Sequence, residues 1–181
     1  MCRKQVMGPD SRLKTLVKLE PLDLSHANGL FKALNHEEIG IYIGGADVTS
    51  LSALEDRIKF LKQGPKADSN QLWVNFVVLL NSEIVGRVEA TLHDSIAEIA
   101  YLINPLLWGQ GLGTAAAELL IDELRGKGEY DFWATVTPEN KASARVLEKL
   151  EFVEIDPGQA PQLLSYDSGD RTFRKKFHSL S

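Results

Sequence analysis

The stretch Asn104-Pro105-Leu106-Leu107-Trp108-Gly109-Gln110-Gly111-Leu112-Gly113-Thr114 decides how this chain is read. Three β-patterned segments run up to it, and an alanine- and leucine-rich segment with helical spacing follows. Pro105 ends the last strand, because proline donates no ladder hydrogen bond. Glycines at 109, 111 and 113 let the backbone expose consecutive N–H groups, and a helix start adds partial positive charge. Together they suit a phosphate or pyrophosphate; a glycine-rich helix start serving only tight packing is the plainer alternative. A P-loop is excluded, since Gly113 is followed by Thr114-Ala115 and not by Lys-Ser/Thr. The dinucleotide pattern G-x-G-x-x-G requires a glycine where Thr114 stands, and a preceding antiparallel meander disagrees with a doubly wound sheet.

Working upstream, Leu72 to Leu80, Ile84 to Leu92 and Ile96 to Ile103 read as strands. The turns Asn81-Ser82-Glu83 and His93-Asp94-Ser95 join them into the meander. Before them lies a short strand, Leu16 to Leu19, stopped by Pro21. A helix capped by Ser25 runs through Asn35, and Gly40, Gly44 and Gly45 then break the chain. A second helix, capped by Thr49 or Ser50, extends to about Gln63. Downstream come a helix from Leu112 to Arg125, a strand from Asp131 to Val136 and a helix from Asn140 to Leu150. Strands at Phe152 to Ile155 and Thr172 to Phe177 flank a Pro/Gly-punctuated stretch from Pro157 to Gly169. The predicted order β-α-α-β-β-β-α-β-α-β-β is α+β with a mixed sheet. It forms a single domain over 14–181, behind a flexible tail over 1–13.

Composition agrees with one ordinary globular domain. Of 181 residues, 44% are apolar and 25% charged, which excludes intrinsic disorder. No apolar run approaches the ~20 residues a membrane helix needs. A net charge of −5 and a pI of about 5.4 disfavour general nucleic-acid binding. The basic run Arg171 to Lys176 reads as a solvated edge strand or a local patch. Cys2 is the only cysteine, so intramolecular disulfides and cysteine-based metal sites are impossible, no metal is expected, and a reducing cytoplasm is the natural setting.

Three stretches carry a family likeness: Ala97-Glu98-Ile99-Ala100-Tyr101-Leu102-Ile103, Trp108 to Ala115, and Pro138-Glu139-Asn140-Lys141-Ala142-Ser143-Ala144-Arg145-Val146-Leu147-Glu148-Lys149-Leu150-Glu151-Phe152. The chain resembles the GNAT superfamily of acetyl-coenzyme A-dependent N-acetyltransferases, and within it the RimJ/RimL-like branch that acetylates N-terminal amines of ribosomal proteins. The second stretch looks like that family's pyrophosphate loop, Q/R-x-x-G-x-G/A, with Trp108 in its first position. The third is similar to its second cofactor motif, with Glu151 where glycine usually precedes the phenylalanine. The resemblance implies a mixed, mostly antiparallel central sheet, splayed at the cofactor site and flanked by helices.

It further implies acetyl-CoA as cofactor, its pantetheine arm on the backbone of Leu102 and Ile103. Its pyrophosphate would sit on the amides of Gln110, Gly111, Leu112, Gly113 and Thr114, with Asn140 near the reactive end. An attacking amine is mostly protonated at pH 7, so a base is required. Glu98 is the leading expectation for that base; Glu89, His93, His26 and His36 are lesser ones. The family's usual tyrosine is replaced here by Leu147, and Ser143 is the expected proton donor to the thiolate, with Tyr101 in reserve. The acceptor is a small-molecule primary amine or a protein N-terminus, which Glu37, Glu38, Asp47 and Glu55 would suit if they were not simply solvated. A non-catalytic coenzyme A-binding module of the same fold is the alternative. Homodimerisation is frequent in the family, and nucleic-acid or membrane partners are not expected.

Overall fold

A computed structural model describes residues 16–41 and 50–178. The expected tail over 1–13, the glycines at 44 and 45, Asp47 and Thr49 lie outside the described residues. The strands are β1 (Val17–Pro21), β2 (Gln71–Leu80), β3 (Glu83–His93), β4 (Ile96–Ile103), β5 (Asp131–Val136), β6 (Val153–Ile155) and β7 (Arg171–Lys176). The helices are α1 (Ala27–Leu34), the single turn α2 (Glu37–Gly40), α3 (Leu51–Gln63), α4 (Leu112–Arg125) and α5 (Lys141–Lys149). One seven-stranded sheet runs in the order β1-β2-β3-β4-β5-β7-β6, mixed because β4 and β5 pair in parallel. Every other pairing is antiparallel.

The β2-β3-β4 meander turns at Asn81-Ser82 and Asp94-Ser95. All four residues have positive φ, from 46 to 71°, as two-residue hairpin turns of the primed type demand. Gly86 on β3 is required sterically: a Cβ there would stand 2.1 Å from the Leu102 carbonyl oxygen on β4. β1 ends at Pro21, as its stop signal indicates, with the proline itself as the last strand residue, which an edge strand tolerates.

Strand alternation sends Val78, Val88, Ala97, Ile99 and Phe132 to one face, where α4 and α5 cover them with Ala116, Leu120, Leu124 and Leu147. On the other face Val77 and Leu79 meet Leu30, Leu34, Leu54 and Ile58 of α1 and α3. Each leucine buried in this way contributes about 2 kcal/mol. A third, smaller cluster joins Ile96 and Trp133 of the sheet to Leu163 of the segment between β6 and β7.

Two local expectations are corrected, and one departure from the family pattern is accommodated. Ser25 is not the first helix cap: Asp23 caps a 3-10 turn, Leu24–His26, that leads into α1, accepting from the Ser25 amide, while His26 Nδ1 accepts from the Asp23 amide to complete a capping box. The basic run Arg171 to Lys176 is neither edge nor patch, because β7 lies between β5 and β6. Its guanidinium groups make paired contacts of 2.6–2.8 Å, Arg174 with Asp131 and Arg171 with Glu154. Glu151, the residue in glycine's place, keeps the turn by adopting φ 63°. Phe152 N–H donates to the Leu147 carbonyl and Glu151 N–H to that of Glu148, the two bonds of a Schellman end.

Candidate active site

The sheet opens at its centre. β4 and β5 pair only at Ala97 with Phe132 and Glu98 with Trp133, and beyond that point no ladder joins them. The unpaired half of β4, from Ile99 to Ile103, runs straight into the glycine loop. Asn104 turns the chain by accepting from the Leu106 amide, and Trp108 Nε1 donates to the Ile103 carbonyl at 2.7 Å. That indole bond ties loop to strand end; the sequence marked Trp108 only as a departure from a pattern.

Within the loop Gly109 and Gly111 have φ of 78 and 83°, the left-handed region that side chains resist. Gly111 is the N-cap of α4 and brings no side chain to it, and the first intrahelical bond is Ala115 N–H to the Gly111 carbonyl at 3.0 Å. The first-turn N–H groups of Leu112, Gly113 and Thr114 therefore point out of the helix end, where the helix dipole also favours an anion. Leu112 itself is buried and serves as an anchor through its side chain.

Strand geometry divides the two β4 residues expected to pair with a ligand. Asn104 N–H bonds to Val85 on β3, and the Leu102 carbonyl approaches Gly86 on the same strand. Successive peptide groups point to opposite neighbours. Leu102 thus faces β3, while Tyr101 and Ile103 face the opening. By backbone direction, Tyr101 and not Leu102 presents its peptide groups to the opening.

Asn140, Ser143 and Tyr101 converge on the α5 side of the opening. Asn140 Oδ1 accepts the Ser143 amide at 3.0 Å as the N-cap of α5. Tyr101 donates its hydroxyl proton to the Ser143 carbonyl at 3.0 Å and lies 2.9 Å from Ser143 Oγ. Burial pushes the Tyr101 phenol up to about 12, with the Ser143 hydrogen bond opposing weakly. The sequence treated Ser143 and Tyr101 as rival proton donors; the fold makes them one hydrogen-bonded pair.

Glu98 is placed differently from a free base. It is 5% exposed, and four donors fill its two oxygens. His93 Nε2 at 2.5 Å and the Leu164 amide at 2.6 Å reach Oε1; the Ser165 amide at 3.0 Å and hydroxyl at 2.5 Å reach Oε2. A carboxylate offers about four acceptor positions, so Glu98 has none left for an incoming amine. Its position is that of a clasp holding the 157–170 segment to the sheet, assisted by Thr135, whose hydroxyl donates to the Ser165 carbonyl. His93 Nδ1 lies 3.0 Å from Asp94 Oδ2, so both ring nitrogens face carboxylates, an arrangement that imidazolium alone satisfies fully. Burial works against that charge, but the hydrogen bonds to Asp94 and Glu98 hold His93 above its ordinary value. His26 is occupied in its capping box, and Glu37 and Glu38 are exposed on α2.

Comparison with known proteins agrees with this architecture. Residues 17–153 match the family described as acetyltransferase (GNAT) domain. None of the curated proteins matches the chain by sequence. Among solved structures, RimL, a ribosomal L7/L12 alpha-N-protein acetyltransferase in complex with coenzyme A, superposes with a TM-score of 0.73 at 17% identity, over 91% of this chain and 96% of that one. Mycobacterium smegmatis RimJ with a coenzyme A disulfide gives 0.72 at 20% identity, over 88% and 81%. The aminoglycoside acetyltransferase AAC(6')-Ib with coenzyme A gives 0.70 at 18%, over 88% and 94%. With the splayed sheet, the left-handed glycine loop and the family match over most of its length, the chain belongs to the GNAT acetyltransferases.

Proposed function

We propose that this protein transfers the acetyl group of acetyl-CoA to a primary amine by direct attack. The observation that carries the reading is the coincidence of three features at one point: the parting of β4 from β5, the paired left-handed glycines and the uncapped start of α4. Acetyl-CoA supplies the activated acetyl thioester. The amides of Gln110, Gly111, Leu112, Gly113 and Thr114 hold its pyrophosphate, and the open-side backbone of Tyr101 with the Ile103 N–H takes the pantetheine arm, the Ile103 carbonyl being held by Trp108. Asn140, with its oxygen committed to the helix cap, has its side-chain N–H₂ for the cofactor. Tyr101 stays protonated through the working range, and with Ser143 it forms the proton store from which the departing thiolate is protonated to the thiol. RimL and AAC(6')-Ib are named for a protein N-terminus and an aminoglycoside, so both amine types are the first acceptors to try. The lone cysteine fits a cytoplasmic setting, and light scattering tests the homodimer.

The test is thermal unfolding with excess acetyl-CoA, beside NAD and ATP. At ~100 times its dissociation constant a ligand adds roughly 2.7 kcal/mol. That raises the midpoint of a chain of this size by several degrees. No shift with acetyl-CoA, or an equal shift with NAD, overturns the reading. A shift without transfer to any amine turns it into the non-catalytic coenzyme A-binding module.

A further inference from the structure

With Glu98 enclosed, the sheet face beside the opening still carries one carboxylate. Glu98, Ala100 and Leu102 share the face of β4 on which α1 and α3 pack, Leu102 reaching their cluster. Cross-strand partners share a face, and the register sets Glu89 of β3 opposite Ala100 and opposite Asn75 of β2. Ala100 is exposed and is the first β4 position on this face past the last β5 pair. With only a methyl group there, no longer β4 side chain stands between Glu89 and the opening in that row. Its side chain is 29% exposed, against 5% for that of Glu98.

The chemistry around Glu89 suits a cation. Arg87, two residues earlier on the same face and 9% exposed, holds Glu89 Oε2. Arg87 has a further partner, so its charge is not spent on Glu89 alone. Among the described residues nothing bonds to Glu89 Oε1. One oxygen is thus held by Arg87 and the other is not, on a face that the register shares with Asn75 and Thr91. We infer that Glu89, and not Glu98, is the carboxylate that receives the acceptor, binding the ammonium form of a primary amine through Oε1 at the mouth of the β4–β5 opening. Glu98 acts one row away as a positioning residue for the wall made by Leu164 and Ser165.

This inference rests on the transferase reading, and its test separates the two. Carbodiimide with glycine ethyl ester couples open carboxyl groups to an amine, and peptide mapping reports which. Glu89 is expected to label and Glu98 to stay unlabelled; labelling of Glu98 ahead of Glu89 overturns the inference without any need for turnover. In transfer assays with a seryl-initiated peptide, spermidine and kanamycin, Glu89→Gln is expected to lower kcat/KM by about 10- to 100-fold, mainly through KM, the loss of one charge-assisted contact. Glu89→Asp recovers part of it, and the acetyl-CoA shift in unfolding temperature stays at the wild-type size, which shows the variant folded. A Glu89→Gln enzyme within threefold of wild type overturns the inference. If the wild type binds acetyl-CoA and acetylates none of the three amines, the transferase reading fails, and the labelling order still decides which carboxylate is open.

Discussion

The two sides of the β4–β5 opening are built from different materials. On the α4 and α5 side, the groups proposed for recognition are mostly main chain: the loop amides, the open-side peptide groups of Tyr101 and Ile103, and left-handed glycines that present them. On the opposite side they are side chains: Glu98, His93, Glu89 and Arg87 on the sheet, Ser165 on the overlying segment. Main-chain recognition tolerates varied side chains but is broken by an added Cβ. Side-chain recognition depends on charge pairing. Damage to one side should therefore leave the other intact.

The largest effect is expected at Glu98. Glu98→Ala strands two amides and the His93 ring in a buried place, a cost of about 3–5 kcal/mol for breaking a buried ion pair. Urea unfolding measures it, and amide exchange at Leu164 and Ser165 should rise sharply. Affinity of the folded protein for acetyl-CoA should hold, because that ligand is gripped from the other side. Equal loss of acetyl-CoA binding would erase the distinction between the sides.

The converse change is Gly111→Ala. A side chain at φ 83° costs about 1–2 kcal/mol, and the loop amides are displaced from their common direction. Titration calorimetry should show weaker acetyl-CoA binding while Leu164 and Ser165 remain protected. Asn140→Ala is milder, removing an N-cap worth about 1 kcal/mol. It also releases Ser143, so thermal unfolding and transfer rate should both fall.

Glu151→Gly goes the other way. It relieves a left-handed glutamate at the end of α5 and should stabilise by about 1 kcal/mol in urea unfolding. The exposed contact to Lys175 that it gives up is worth little.

The smallest effect is a pH dependence confined to the side-chain half. His93 is raised in the folded state, so its contribution is fully present below the unfolded value of about 6.5. It is lost as pH rises through the folded value. Protection factors at Leu164 and Ser165 should fall across that interval, and His93→Gln should flatten the fall. A steady protection factor in the wild type would mean that the ring is not charged.

Much of the α4 side was legible because its signals are local. The helix Leu112–Arg125 and the strand Asp131–Val136 have the bounds that periodicity and flanking glycines indicate. Asn140 heads its helix as its residue type suggests. The acceptor side was less legible. Ser25 and Asp23 both have cap chemistry, and only the backbone conformation at Asp23 selects between them. The basic run of β7 has the composition of an edge strand, yet strand order is a non-local property, and β6 supplies the outer partner.

The sequence by itself determined the class of fold, the place of the glycine loop and the pairing of Asn140 with Ser143 at one helix start, since each depends on residues within a turn or two. The Tyr101–Ser143 contact, by contrast, spans 42 residues and needed the fold. Only the tertiary structure decided which carboxylate is closed and which is open. Glu98 and Glu89 are both glutamates on neighbouring strands of the same face. What separates them is a segment some 66 residues further along the chain, whose amides fill the Glu98 oxygens and make no bond to the half-buried Glu89. Long-range hydrogen bonds of that kind carry no periodicity, so no local pattern in the chain announces them.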